Sequence, residues 1–147
     1  MLNGYKPLKL MAGDGEDLAV VSAYLQDAVM KIGDMAYLPE KRRFAFVANR
    51  FVWENARDRK IGSFYRVRCG VHLDDVRGVK MQHLKTEPKD AIVELLAIDV
   101  EQNDDDHFVE LKFAGGGAIR LEAESVNILV SDISQPWRTR SRPNHSE

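Results

Sequence analysis

The side chains best suited to chemistry in this chain are four histidines, one cysteine and a handful of acid clusters. His72 precedes Asp74 and Asp75, and His83 stands on the next segment, so these four form the set closest to a metal or acid–base constellation. Imidazole and carboxylate hold a divalent metal only in fixed geometry, and no His-Glu-x-x-His or His-x-His spacing imposes it here. Asp74 and Asp75 are expected instead to satisfy backbone donors in a turn. Cys69 alternates with apolar neighbours, which predicts a buried, inert thiol. With one cysteine, no intrachain disulfide can form. Asp104-Asp105-Asp106 lacks the alternating ligands and terminal glutamate of a calcium loop. Gly115-Gly116-Gly117 has the backbone freedom of an anion nest, yet a phosphate loop opens a helix and here a strand pattern follows. No catalytic residue, metal or cofactor is therefore expected.

A second group of residues suits binding. Between Lys41 and Arg68 stand nine Lys/Arg against Glu54 and Asp58, a local balance of +7. Aromatic residues interleave with them. Period-two alternation sends Phe44, Phe46 and Tyr65 inward, leaving Arg50, Phe51, Trp53, Arg66 and Arg68 as the expected partner-contact residues. Trp and Arg are enriched where protein interfaces concentrate their energy; the same types also form stacking platforms for single-stranded nucleic acid. Between Asp90 and Glu110 stand eight acids and no Lys or Arg. The favoured explanation is that the two segments lie on neighbouring strands and pair across a sheet, each pair contributing a few tenths of a kcal/mol.

Composition bounds the rest. At 147 residues, 44 % apolar and 30 % charged, the chain has the makeup of an ordinary globular domain. A net charge of −2 argues against polyanion binding by the molecule as a whole. No apolar run approaches the roughly 20 residues that span a bilayer, and the first residues lack the apolar core of a secretory signal. A cytoplasmic protein is expected.

The elements that must position these residues are mostly strands. His107 to Val130 alternates on both sides of the triple glycine, which predicts an antiparallel hairpin with one buried face. Asp14 is placed to cap a helix over Gly15 to about Gln26 or Ala28, with Leu18, Val21 and Leu25 buried and Ser22 and Gln26 on the wet side. Val29–Leu38 reads as a strand interrupted at Gly33-Asp34, joined through a turn at Pro39 to a strand over Arg43–Trp53. Further extended segments are expected at Leu8–Met11, Phe64–His72, Val76–Leu84 and Ala91–Val100, with a helical turn at Leu73–Asp75. The predicted class is α+β: a mostly antiparallel sheet of seven or eight strands, rolled or built as two packed half-units, with one N-terminal amphipathic helix. Residues 1–134 form the domain, with a degenerate duplication over about 8–53 and 65–123, and 135–147 form an irregular arginine-rich tail.

At Leu25-Gln26-Asp27-Ala28, at Gly33-Asp34-Met35-Ala36-Tyr37-Leu38, at Asn49-Arg50-Phe51 and from Phe113 to Glu122, the chain resembles a domain-of-unknown-function family of certain Gram-negative bacteria. The similarity runs over nearly the full length, including Trp137 and the tail. The resemblance implies a cytoplasmic bacterial protein of single-domain size and supplies no activity, cofactor or catalytic residue.

Three functions are carried forward in order. The first is a non-enzymatic binding or adaptor module that presents a sheet face and the Arg/aromatic segment to a protein partner or to a second copy. The second is a nucleic-acid binder through residues 41–68. The third is a small enzyme using His72, Asp74, Asp75 and His83. Binding needs an exposed patch, whereas catalysis needs a convergent constellation.

Overall fold

Alternation and turn chemistry produce a molecule that is nearly all sheet. The structure, a computed structural model, describes residues 4–56 and 64–139. Its strands are β1 (Lys9–Ala12), β2 (Val29–Lys31), β3 (Met35–Leu38), β4 (Arg43–Phe51), β5 (Phe64–Leu73), β6 (Val76–Gln82), β7 (Ile92–Asn103), β8 (Asp106–Phe113), β9 (Ala118–Ala123), β10 (Ile128–Asp132) and β11 (Trp137–Thr139). The helices are α1 (Gly15–Leu25) and a single turn, α2 (Trp53–Ala56). The hydrogen-bonded path runs β1-β10-β5-β4-β2-β7-β8-β9-β6, with β3 alongside β4 and β11 alongside β5. Every pairing is antiparallel.

The α+β, mainly antiparallel expectation holds, with more strands than the seven or eight foreseen. Two extra strands have clear causes. The stretch Val29–Leu38 splits at a 3-10 turn over Ile32–Asp34, so β2 reaches across to β7 while β3 follows β4 alone. The tail is not irregular throughout, because Trp137–Thr139 pairs with Phe64–Arg66. Asp74 and Asp75 form a tight turn, with Asp75 at φ 63°, and not the helical turn expected there.

α1 starts as the sequence predicts, its Asp14 carboxylate accepting from the Asp17 N–H at 2.8 Å. Leu18, Val21 and Leu25 are buried. Ser22 is not on the wet side: its Oγ accepts the Ile98 N–H of β7 at 2.9 Å, which docks the helix on that strand. Residues from both halves of the path, among them Phe44, Phe46, Val71, Leu111 and Leu121, join the helix in one core cluster. Bulges at Val76/Gly78 and at Leu95/Ala97 bend β6 and β7, as an extra residue in one strand must. In the β8–β9 turn Gly115 and Gly116 take φ of 88° and 92°, a region that costs residues bearing a Cβ. Gly117 serves a different need, since a Cβ there would lie 3.0 Å from the His83 carbonyl oxygen.

Candidate functional site

The five residues expected to contact a partner fall into different environments. β4 buries Phe44, Phe46 and Ala48, and the same phase carries Arg50 into the interior, where it is 0 % exposed. Its guanidinium donates to Asp132 of β10 through Nε and Nη2, both at 2.9 Å, and to Glu54 of α2 through Nη1 and Nη2 at 3.0 and 2.8 Å. The Tyr5 hydroxyl and the Leu8 N–H also donate to Asp132, at 2.6 and 2.8 Å. Burial disfavours the charged Arg50, yet its bonds to Asp132 and Glu54 outweigh that and raise its pKa. Burial likewise works against the Asp132 carboxylate, and Arg50, Tyr5 and Leu8 more than compensate, holding it below the usual range. Arg50 is thus a clasp tying β4, α2, β10 and residues 5–8 together, and it offers no accessible surface.

Phe51 is also 0 % exposed, although its neighbour Arg50 is buried too. A second small cluster explains this. The Trp53 ring lies 4.6 Å from Phe51 and the Phe64 ring 5.9 Å away, forming an apolar cap at the end of β4. Trp53 is half-buried, its indole N–H donating to the Gln26 carbonyl at 2.9 Å. Arg66 is half-buried as well and donates to the carbonyls of Asp27 and Asn49; burial lowers its pKa. Of the five, Arg68 is the one classed as exposed, with Asp34 at 3.8 Å.

The histidine–acid set does not converge. His72 Nδ1 lies 3.4 Å from Asp74, but Asp74 binds Arg43 and Asp75 accepts from Ser125. His83 follows the extended run of β6, which at about 3.3 Å per residue sets it roughly 20 Å from the Asp74–Asp75 turn. No group of three metal-ligating side chains occurs among the described residues. Cys69 is buried, and burial pushes its thiol up to about 12.

Contrary to expectation, among the described residues the basic strands β4 and β5 do not adjoin the acidic strand β7, because β2 stands between them, although Arg66 and Glu94 still attract one another. Arg42 pairs with Glu124 and Arg43 with Asp74, while Asp99 pairs with Lys112, Glu110 with Arg120 and Asp106 with Arg77. Residues 57–63 of the basic segment and 140–147 of the tail lie outside the described residues.

The surface that stands out is the outer face of the β1-β10-β5-β4-β3 half. One row across it reads Met11, Leu129, His72, Ala45 and Ala36, and the next reads Lys9, Ser131, Gly70 and Val47. Met11 is 70 % exposed and Ile133, beside Arg68, is 56 % exposed. α1 packs on the inner side of the sheet with the core, leaving this outer face uncovered by any described element. The third row, Arg68–Asn49–Val29, continues to Glu94 of β7, and where β2 and β3 part a groove of about 70 Å³ opens beside it between Val47, Asn49, Arg68, Lys31, Asp34 and Ile92. Alternation in β4, β5 and β10 is the sequence signal that could have located this face.

No described helix is long and apolar enough to cross a membrane. No curated protein and no solved structure matches the chain. The sequence model of one family matches residues 8–145, nearly the whole length, so the chain belongs to the protein family of unknown function DUF2948.

Proposed function

We propose that this chain is a non-enzymatic binding module that holds a partner protein on the outer face of the β1-β10-β5-β4-β3 half. The observation that carries the reading is the row Met11–Leu129–His72–Ala45–Ala36, in which four of the five side chains are apolar. Contiguous apolar patches edged by polar groups mark interaction sites on soluble domains. Lys9 and Lys31 are exposed on the same face, so the fitting partner carries carboxylates around an apolar patch. A second copy fits less well, because a two-fold axis would set those cations against their own kind. Arg42, Arg43, Arg50, Arg66 and Arg68 already face acids or carbonyls, which favours a protein over a polyanion as the partner.

The test is comparative capture from an extract of the protein's own host. Wild type, the double variant Met11→Glu/Ala36→Glu and the control Lys112→Glu on the opposite half are tagged alike. The expected result is a protein retained by wild type and Lys112→Glu and lost by the double variant, with thermal midpoints unchanged. Equal recovery by all three, or a concentration-dependent dimer dissolved by the double variant, would overturn the heterologous docking reading.

A further inference from the structure

Two strands end the hydrogen-bonded path, and their outer edges differ. β6 is poorly made to receive another strand. Its register slips at Val76/Gly78, and the Val76 N–H and C=O are taken by the Arg42 carbonyl at 2.9 Å and the Tyr37 hydroxyl at 3.0 Å. Bulges of that kind are how natural sheets blunt an edge. β1 instead keeps an unbroken register against β10. Its bonding phase follows from the bonds around it. The Ile133 N–H donates to the Arg68 carbonyl and the Asp74 N–H to the Asn127 carbonyl, so odd-numbered residues of β10 bond β5 and even-numbered ones bond β1. The Asp132 N–H donates to the Leu8 carbonyl in that phase, which makes Leu10 and Ala12 the residues bonded to Val130 and Ile128. The N–H and C=O of Lys9 and of Met11 therefore point away from the sheet, and no described strand answers them.

We propose that this edge takes an extended strand of the partner, with an acid beside Lys9 and an apolar side chain beside Met11. The inference rests on the docking reading above and states how the partner is held at one margin of that face. Lys9 and Met11 recur at about 6.8 Å, twice the rise of a strand, and an extended chain offers donors and acceptors at the same repeat. A helix bonds its own backbone internally. A phosphate chain would answer the two N–H groups and leave both carbonyls bare. Met11 and Lys9 also head the two outer rows, so an added strand lengthens both and sets its own side chains beside theirs. Met11 is 70 % exposed, and Lys9 is exposed and takes part in none of the ion pairs among the described residues. Those two side chains set the chemistry of the strand that fits.

The probe is acetyl-Thr-Glu-Thr-Val-Thr-Glu-Thr-amide, which suits either strand direction. It is titrated into the isotope-labelled full chain while the backbone amides of residues 8–12 are followed by NMR. The expected result is that the Lys9 and Met11 amides shift, while those of Leu10 and Ala12, bonded to β10, hold still. N-methylating one alternate set of peptide residues should abolish the shifts, and N-methylating the other set should leave them. The Gln analogue, and the Lys9→Ala variant, should each bind about two- to fivefold more weakly, the worth of an exposed ion pair. In the extract assay Lys9→Pro, which removes an edge N–H and none of the bonds to β10, should retain less partner than Lys9→Ala at an unchanged thermal midpoint. Amides that stay still with the peptide, or equal binding by the two N-methylated forms, overturn the inference. If the peptide fails while Met11→Glu/Ala36→Glu still loses its partner, strand addition falls and the docking face stands. If the tagged proteins all retain the same material while the peptide still shifts Lys9 and Met11, the docking face falls and the edge stands.

Discussion

Strands β7, β8 and β9 and strands β1, β10, β5 and β4 are built on the same alternation, yet their outward positions hold opposite chemistry. On the first set one row reads Asp99, Glu110, Arg120 and Lys80. Lys112 reaches Asp99 at 2.8 Å, Arg120 reaches Glu110 at 3.3 Å, and the Arg120 guanidinium sits 4.4 Å over the Phe108 ring. On the second set the corresponding row is Met11, Leu129, His72 and Ala45, and the main ionic group has moved inside, as Arg50 with Asp132 and Glu54. The ion-paired face is finished with water as its solvent. The other carries its strongest charges inside, where they bind strands to one another.

That contrast can be broken or sharpened by mutation. The largest effect is expected at Arg50. Arg50→Ala leaves Asp132, whose side chain is 0 % exposed, without its opposite charge and with Tyr5 and Leu8 as its remaining donors, so urea unfolding should show a loss of about 3 kcal/mol. Asp132→Asn comes next, at about 1.5–3 kcal/mol for a weakened charged hydrogen-bond set. Its pH dependence gives the diagnosis. The folded Asp132 pKa is depressed, so the unfolded chain binds the proton more readily and the pair's stabilisation is complete above the unfolded carboxylate value of about 3.9. It is lost as the pH falls through the folded value. The stability gap between wild type and Asp132→Asn should therefore be constant near neutrality and shrink below about pH 4. A gap independent of pH would mean that the clasp acts by packing alone.

Gly117→Ala probes the other half. Its new Cβ would press on the His83 carbonyl and on Leu84 Cδ1, both at 3.0 Å, so a cost of about 1–3 kcal/mol is expected in the same assay. Lys112→Ala, on the exposed ladder, should leave the urea midpoint within experimental scatter, since exposed pairs are screened by salt and water. If Lys112→Ala proved as damaging as Arg50→Ala, the distinction drawn between the two halves would collapse.

Local features of the fold were legible in the sequence. The Asp14 cap, the Leu18–Val21–Leu25 spacing, the Pro39 turn and the Gly115–Gly116 hairpin all act within a few residues, where rotation and hydrogen bonding decide the outcome. The clasp was half legible. Extending the Phe44, Phe46, Ala48 phase reaches Arg50, and extending the Ile128, Val130 phase reaches Asp132, so two opposite charges on inward positions announced a buried pair. The choice of Arg50 as a contact residue followed from its charge and ignored its phase. Phe51 was not legible, because its burial depends on Trp53 and Phe64 closing over it. Nor were the β2–β3 fork and the groove beside Asn49, which arise from the meeting of β4, β2 and β7.

Residues 9–12 pair with residues 128–131, and Tyr5 bonds to Asp132 across most of the sequence. A ribosome delivers the first of these long before the second. Strand β1 must wait, its ladder partner among the described residues unsynthesised, until more than a hundred further residues have emerged. Closure of so distant a pair carries a loop-entropy cost that local hairpins avoid, so assembly of this sheet belongs to the slow end of the folding spectrum. The nascent chain meanwhile carries exposed strand edges, the condition under which chaperones earn their place.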